Sequence, residues 1–214
     1  MSRAICVMGE SGSGKTTSLR TLNPDESYII DADGKGLSWK GWRQQYNAEK
    51  KNYIITDNQK DILAIMQGIS DKRPNVHNIV IDTINAVMVA DERRRINEKN
   101  YDKWSDLAWA VYDITLLASR LREDLNIIVL AHTQTEVDEI TGERFTRILT
   151  NGKKLNKIGL EKYFTTVFLC KATPDGYVFE TKANSSTAKT PFGAYDTDTI
   201  PNDMQAALNV LAEF

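Results

Sequence analysis

Short apolar runs recur along this chain at Ala4–Met8, Tyr28–Ile30, Tyr53–Ile55, Ile79–Ile81, Ile127–Ala131 and Thr166–Leu169, and several are continuous rather than alternating. A strand that is apolar at every position is covered on both faces, so these runs predict a parallel sheet flanked by helices. Between them apolar residues return at helical spacing. Ile62, Leu63, Ile65, Met66 and Ile69 share one face, and Leu107, Ala108, Val111, Ile114, Ala118 and Leu121 share another. Strands alternating with helices imply a doubly wound α/β core.

The last third has a different pattern. Thr135 to Ile148 places Thr141-Gly142 between partly alternating polar arms, and "TPDGYVFETK" sets Pro174-Asp175-Gly176 between two more. Both read as antiparallel hairpins added to the parallel core. The chain closes on "PNDMQAALNVLAEF", with Pro201 and Asn202 at the start and Met204, Ala207, Leu208 and Leu211 forming an apolar stripe. There is no internal repeat and no linker composition, so residues 1–214 read as one domain.

The length of 214 residues suits that reading. A formal net charge of −2 argues against nucleic-acid binding over the whole surface and leaves room for a local basic patch. Cys6 and Cys170 both fall in apolar, strand-like runs and are expected to be buried free thiols in a reducing compartment. No apolar stretch reaches the length of a membrane span, and the first run is too short for a secretory segment. The expected location is the cytoplasm.

Chemistry enters with "GESGSGKTT", Gly9 to Thr17. Gly9, Gly14, Lys15 and Thr16 satisfy G-x-x-x-x-G-K-[ST], in which backbone N–H groups wrap a di- or triphosphate. The residues expected around ATP are therefore Gly9, Glu10, Ser11, Gly12, Ser13, Gly14, Lys15, Thr16 and Thr17. Glycine lets the chain take positive φ and approach the phosphates closely. Lys15 is placed to reach the β/γ-phosphates, the Thr16 hydroxyl to ligate Mg²⁺, and a helix from Lys15 through Leu22 to add its positive end. A flexible Gly/Ser linker would need neither the apolar strand before the loop nor the Lys-Thr after it.

Three further motifs end strands. "NIVIDT" delivers Asp82, a candidate Mg²⁺ ligand on a strand beside the loop, against the plainer role of helix cap. "YIIDADGKG" delivers Asp31 and Asp33, which extended alternation would put on one side, so that one could orient an attacking water; the competing reading is a simple Asp-Gly turn. "IIVLAHTQTE" delivers His132, Thr133 and Gln134, of which Gln134 is the stronger candidate γ-phosphate sensor.

These motifs in this order resemble the RecA family of recombinases, most closely the small phage RecA-like proteins that support single-strand annealing, over roughly Ala4 to Tyr195. "GESGSGKTT" matches the Walker A loop, "IVIDT" the Walker B strand, and "YIIDADG" the strand that ends in Asp-Ala-Glu. The resemblance implies a RecA-like P-loop NTPase core, a mostly parallel sheet flanked by helices with antiparallel strands near the C-terminal part, and an ATPase using ATP and Mg²⁺. It puts Asp33, one methylene shorter than the family's glutamate, in the position of the catalytic base. It makes Gln134 the ATP sensor. "ETKANSSTAKTPFG" is similar to a Lys-rich segment that reaches a neighbouring subunit's ATP, which makes Lys182 and Lys189 candidate trans-acting fingers, more widely spaced than the family's pair.

The same resemblance implies single-stranded DNA as partner, a homo-oligomeric ring or filament, an accessory single-stranded DNA-binding protein and, if the chain is phage-encoded, the host cytoplasm. From Arg144 to Lys162 six positive residues (Arg144, Arg147, Lys153, Lys154, Lys157 and Lys162) face one negative, Glu161, the local excess that phosphate binding requires. Phe145, Tyr163 and Phe164 are candidate base-stacking residues, of which the latter two read better as the start of a core strand. "DERRRINEKNYDK" nearly balances its charges and reads as a solvated face, while "LSWKGWRQQY", with Trp39 and Trp42, fits contact with DNA or with another subunit. Two other functions fit the motifs: a small P-loop nucleotide or metabolite kinase, and an annealing module that binds ATP with little turnover.

Overall fold

The continuous apolar runs become neighbouring strands because both of their faces are buried. In the computed structural model, which describes residues 1–98, 102–137, 140–150 and 158–214, the strands are β1 (Arg3–Gly9), β2 (Ser27–Asp31), β3 (Tyr53–Ile55), β4 (Asn78–Asp82), β5 (Asn126–Val137), β6 (Arg144–Ile148), β7 (Thr166–Thr173), β8 (Gly176–Glu180) and β9 (Thr199–Pro201). They form one nine-stranded sheet in the order β3-β2-β4-β5-β1-β7-β8-β9, with β6 paired to β5 off the main row. From β3 through β7 the pairing is parallel, and β8 and β9 complete the row antiparallel.

Alternate residues of each strand serve two different apolar layers. Ala4, Cys6, Met8, Ile79, Ile81, Ile127, Val129 and Ala131 pack beneath helices α2 (Gln59–Lys72), α3 (Ile84–Arg94) and α4 (Asp102–Leu117). Ile5, Val7, Ile29, Val80, Ile128, Leu130 and Phe168 pack on the opposite face with Leu19, Tyr46 from just past the short helix α1 (Trp42–Gln45), and α5 (Met204–Leu211). The two helical faces read from the sequence are the ones buried: Ile62, Met66 and Ile69 on α2, and Ala108, Val111 and Ile114 on α4. The side chain of Leu107 lies outside the described residues. Both cysteines are buried free thiols, and burial pushes Cys170 up to about 12.

Both expected hairpins form. β5 pairs with β6 from Thr133↔Ile148 to Val137↔Arg144, and β7 turns into β8 through Pro174-Asp175. Two boundaries differ from the sequence reading. Pro201 closes β9, and it is Asp203 that caps α5 by accepting from the Ala206 N–H at 2.9 Å. The segment after the glycine loop is a 3₁₀ helix, Thr16–Thr21, rather than a longer α-helix. Within it Ser18 Oγ donates to the Lys15 carbonyl and Thr21 Oγ1 to the Ser18 carbonyl, both three residues back. Among the described residues no helix is long and apolar enough to cross a membrane.

Parallel register determines what meets at the carboxyl edge. β1 and β5 align Gly9 with His132, and β2 and β4 align Asp31 with Asp82, so four separated motifs arrive on one rim of the sheet.

Candidate functional site

The glycine loop leaves β1 with Gly12 at φ 79° and Gly14 at φ 97°, backbone states that a side chain resists. A Cβ on Gly14 would sit 2.5 Å from the Tyr177 ring, so this glycine is also needed for close packing with β8. Asn202 Nδ2 donates to the Gly14 carbonyl at 3.3 Å and Cys170 Sγ to the Ser13 carbonyl at 2.9 Å, bracing the loop from behind. Glu10 and Ser11 are exposed, and the Thr17 hydroxyl lies 3.0 Å from that of Ser38. Lys15 is buried, and its Nζ donates to the carbonyls of Gly9 (2.8 Å) and Glu10 (2.7 Å). Burial lowers its pKa to about 8, against the pull of nearby anionic groups that include Asp82.

Thr16 Oγ1 donates to Asp82 Oδ2 at 2.7 Å. The two proposed metal ligands are thus already side by side, although β5 stands between their strands in the sheet. Asp82 is therefore not on the strand next to the loop, as the sequence reading had it; its carboxylate covers the gap. The other oxygen, Asp82 Oδ1, is buried without a hydrogen-bond partner. Burial raises the pKa of this carboxyl, with Lys35 and the Thr16 hydroxyl opposing. Among the described residues no group of three His, Cys, Asp or Glu side chains is arranged to hold a metal ion alone. A hydroxyl, a carboxylate oxygen that accepts no hydrogen bond and a phosphate-binding loop suit Mg²⁺, which takes one or two protein oxygens and completes its shell with water and substrate phosphates. The residues fit that ion.

Asp31 and Asp33 do not act as a pair. Asp31 accepts from the Gly34 N–H (2.9 Å), the Gly36 N–H (2.8 Å) and the Tyr53 hydroxyl (2.6 Å). Asp33 accepts from Thr83 Oγ1 at 3.1 Å and from Lys35. β2 ends at Asp31 and the chain bends, so strand alternation no longer relates the two. Asp31 is a clasp that holds the turn, and Asp33 is the carboxylate presented beside Asp82 and Thr83, across a cis Asp82–Thr83 peptide. Burial, then the hydrogen bond to Asp31, pushes the Tyr53 phenol up. The turn's tightest point is Gly36, with φ 80° and Trp42 Cζ2 only 2.8 Å from where a Cβ would stand. Gly36→Ala is expected to destabilise the protein by about 1–3 kcal/mol in denaturant unfolding, from backbone strain together with the clash.

β5 does not end at this motif as the sequence reading expected but runs on to Val137, and His132, given less weight than Gln134 on sequence grounds, is the residue of it that reaches the loop, with Nδ1 3.4 Å from Lys15 Nζ. Burial and the adjacent Lys15 and Lys35 charges lower its pKa, favouring the neutral ring. Gln134 lies farther along β5 and donates to Glu136 Oε1 at 3.0 Å. Lys182 pairs with Asp198 at 2.9 Å. Lys189 is bonded through its backbone to Val167, and burial lowers its pKa against the pull of Glu161. Neither lysine's described partners belong to this chain's own phosphate loop.

Arg144 and Phe145 are exposed on β6, whereas Arg147 sits 3.8 Å from both Glu136 and the buried Glu161. Lys153, Lys154 and Lys157 lie outside the described residues. Phe164 is buried and Tyr163 packs edge-on against Tyr112 at 5.0 Å, so these two serve the fold. Trp39 and Trp42 pack against the second apolar layer, Trp39 Nε1 donating to Gln45 Oε1 at 2.7 Å and Trp42 lying beneath the Arg43 guanidinium at 4.7 Å.

A cavity of about 950 Å³ opens beside this rim, lined in part by Asp33, Lys35, Thr83, Arg93, Arg94 and His132. Sequence reasoning passed over Lys35 and Thr83, although Lys35 stands inside the quoted "DADGKG" between two glycines. Only the turn brings its ammonium to Asp33 and Asp82. A family model described as an AAA domain matches residues 1–192. No curated protein matches the chain.

Proposed function

The chain belongs to the AAA domain family of P-loop ATPases, and on that premise we propose that it hydrolyses ATP with Mg²⁺ to drive a homo-oligomer that binds single-stranded DNA and promotes strand annealing in recombination. The observation that carries the ATPase part is the buried Asp82 Oδ1, which accepts no hydrogen bond and has the Lys35 ammonium 3.7 Å away, next to the Thr16–Asp82 bond, with Asp33 on the same rim. The loop's N–H groups bind the phosphates, and Lys15 exchanges the Gly9 and Glu10 carbonyls for phosphate oxygens. Asp33, aimed by Thr83, orients the attacking water and accepts its proton. Bound Mg²⁺ supplies neutralisation of the charge on the transferred phosphoryl group.

Support for the DNA part comes from β5. The strand continues from His132, beside Lys15, into the exposed β5–β6 hairpin that carries Arg144 and Phe145, and the Lys153–Lys157 segment follows it in sequence. One strand thus runs from the phosphate site to the hairpin that carries Arg144 and Phe145. In this reading Lys182 and Lys189 act on a neighbouring subunit's ATP, Gln134 reports the γ-phosphate toward the hairpin, and a single-stranded DNA-binding protein is the accessory partner.

Phosphate release measured with and without single-stranded DNA tests the whole reading, with stimulation expected. Replacing Lys153, Lys154 and Lys157 together by Ala is expected to weaken oligonucleotide binding at unchanged ATP affinity. Each lost phosphate contact should flatten the slope of log K against log salt by about 0.7. Oligonucleotide binding equal to wild type at several salt concentrations would show that the DNA site is elsewhere, and a wild type that binds no DNA even with a non-hydrolysable ATP analogue removes the recombination reading.

A further inference from the structure

Lys35 occupies an unusual place for a loop lysine. Its Nζ contacts Asp33 Oδ2 and stands 3.7 Å from Asp82 Oδ1, the oxygen that has no hydrogen-bond partner. One ammonium therefore sits between the candidate base and the candidate metal ligand.

The backbone around Lys35 is fixed while its side chain has room. Gly34 and Gly36 on either side have φ 67° and 80°, and Asp31 accepts from both of their N–H groups. The Lys35 side chain is 46% exposed and lines the 950 Å³ cavity beside the phosphate loop. It can leave the carboxylates by rotation about its own bonds, with no movement of the turn.

We propose that Lys35 is a resident cation that closes this site, competing with Mg²⁺ for Asp82 and holding Asp33 in an ion pair until nucleotide phosphate draws its ammonium away. Removing one side chain then frees two oxygens: Asp82 Oδ1 for the metal and Asp33 Oδ2 for the attacking water. Because phosphate offers Lys35 a second partner, nucleotide and Mg²⁺ favour each other's binding, and by linkage the coupling is reciprocal. The site stays shut to the ion alone. This inference rests on the loop being an ATP site.

The test is a Mn²⁺ titration of the protein without nucleotide, followed by electron paramagnetic resonance, on wild type, Lys35→Met and Lys35→Arg. Lys35→Met is expected to bind Mn²⁺ more tightly by a factor in the range of about 5–150, the span of ordinary coupling energies. Lys35→Arg, which keeps the charge, should stay near wild type. The gain should vanish in Lys35→Met/Asp82→Asn, which places the ion on Asp82. Circular dichroism of each variant checks the fold. If Lys35→Met binds Mn²⁺ no more tightly than wild type, or if the gain survives loss of Asp82, the inference is overturned. A separate calorimetric titration of wild type with Mg·ATP distinguishes the two failures, since absent nucleotide binding removes the ATPase reading whatever the metal titration gives.

Discussion

Lys15→Ala is expected to reduce Mg·ATP affinity by roughly 100-fold or more, because a charged hydrogen bond contributes about 1.5–3 kcal/mol and this ammonium is placed to make more than one to phosphate. Its surroundings add a second expectation that the motif alone does not contain. Lys15 is buried and ties together the carbonyls of Gly9 and Glu10. Losing the donor strands these acceptors and should lower stability by about 1–3 kcal/mol in denaturant unfolding. Calorimetry that finds unchanged affinity in a folded Lys15→Ala protein would remove the phosphate-site assignment.

Asp33→Asn should leave ATP affinity near wild type and slow hydrolysis by about 10²–10⁴, the range supplied by a positioned general base. The amide still accepts from Thr83 Oγ1, so the turn survives while the proton acceptor is lost. Asp33→Glu should retain more activity than Asp33→Asn, since it keeps the carboxylate. Single-turnover phosphate release separates binding from chemistry here. An Asn variant that hydrolyses at the wild-type rate would reduce Asp33 to a turn residue.

These expectations differ in how visible they were before folding. Gly9–Thr17 and Asp82 were legible because a phosphate loop needs fixed residue types at fixed spacing, and because a carboxylate after a buried strand can arrive at only one edge of a parallel sheet. The relation between Asp31 and Asp33 was misread because alternation holds only while the chain stays extended, and it bends immediately after Asp31. His132 and Gln134 were separable only by distance to Lys15. Trp39 and Trp42 pack edge-on and tilted against Tyr46 and Tyr53 while remaining half-buried, a pairing that composition does not give.

By itself the sequence determined the α/β class, the identity of the parallel core strands, the two hairpins and the presence of a phosphate loop with a strand-end carboxylate. Those features are local: continuous apolar runs, period 3.6 faces and a spaced glycine motif act over stretches of the chain whose own chemistry is sufficient. Tertiary structure decided the strand order that puts β5 between β1 and β4, the clasp of Asp31 on its own loop, and the insertion of Lys35 between Asp33 and Asp82. The reason is that the buried Asp82 is met by whichever opposite charge the fold brings within a few ångströms, and Lys35 lies nearly fifty residues from it in the chain, invisible to any local pattern, although the ammonium's other partner, Asp33, is only two residues away.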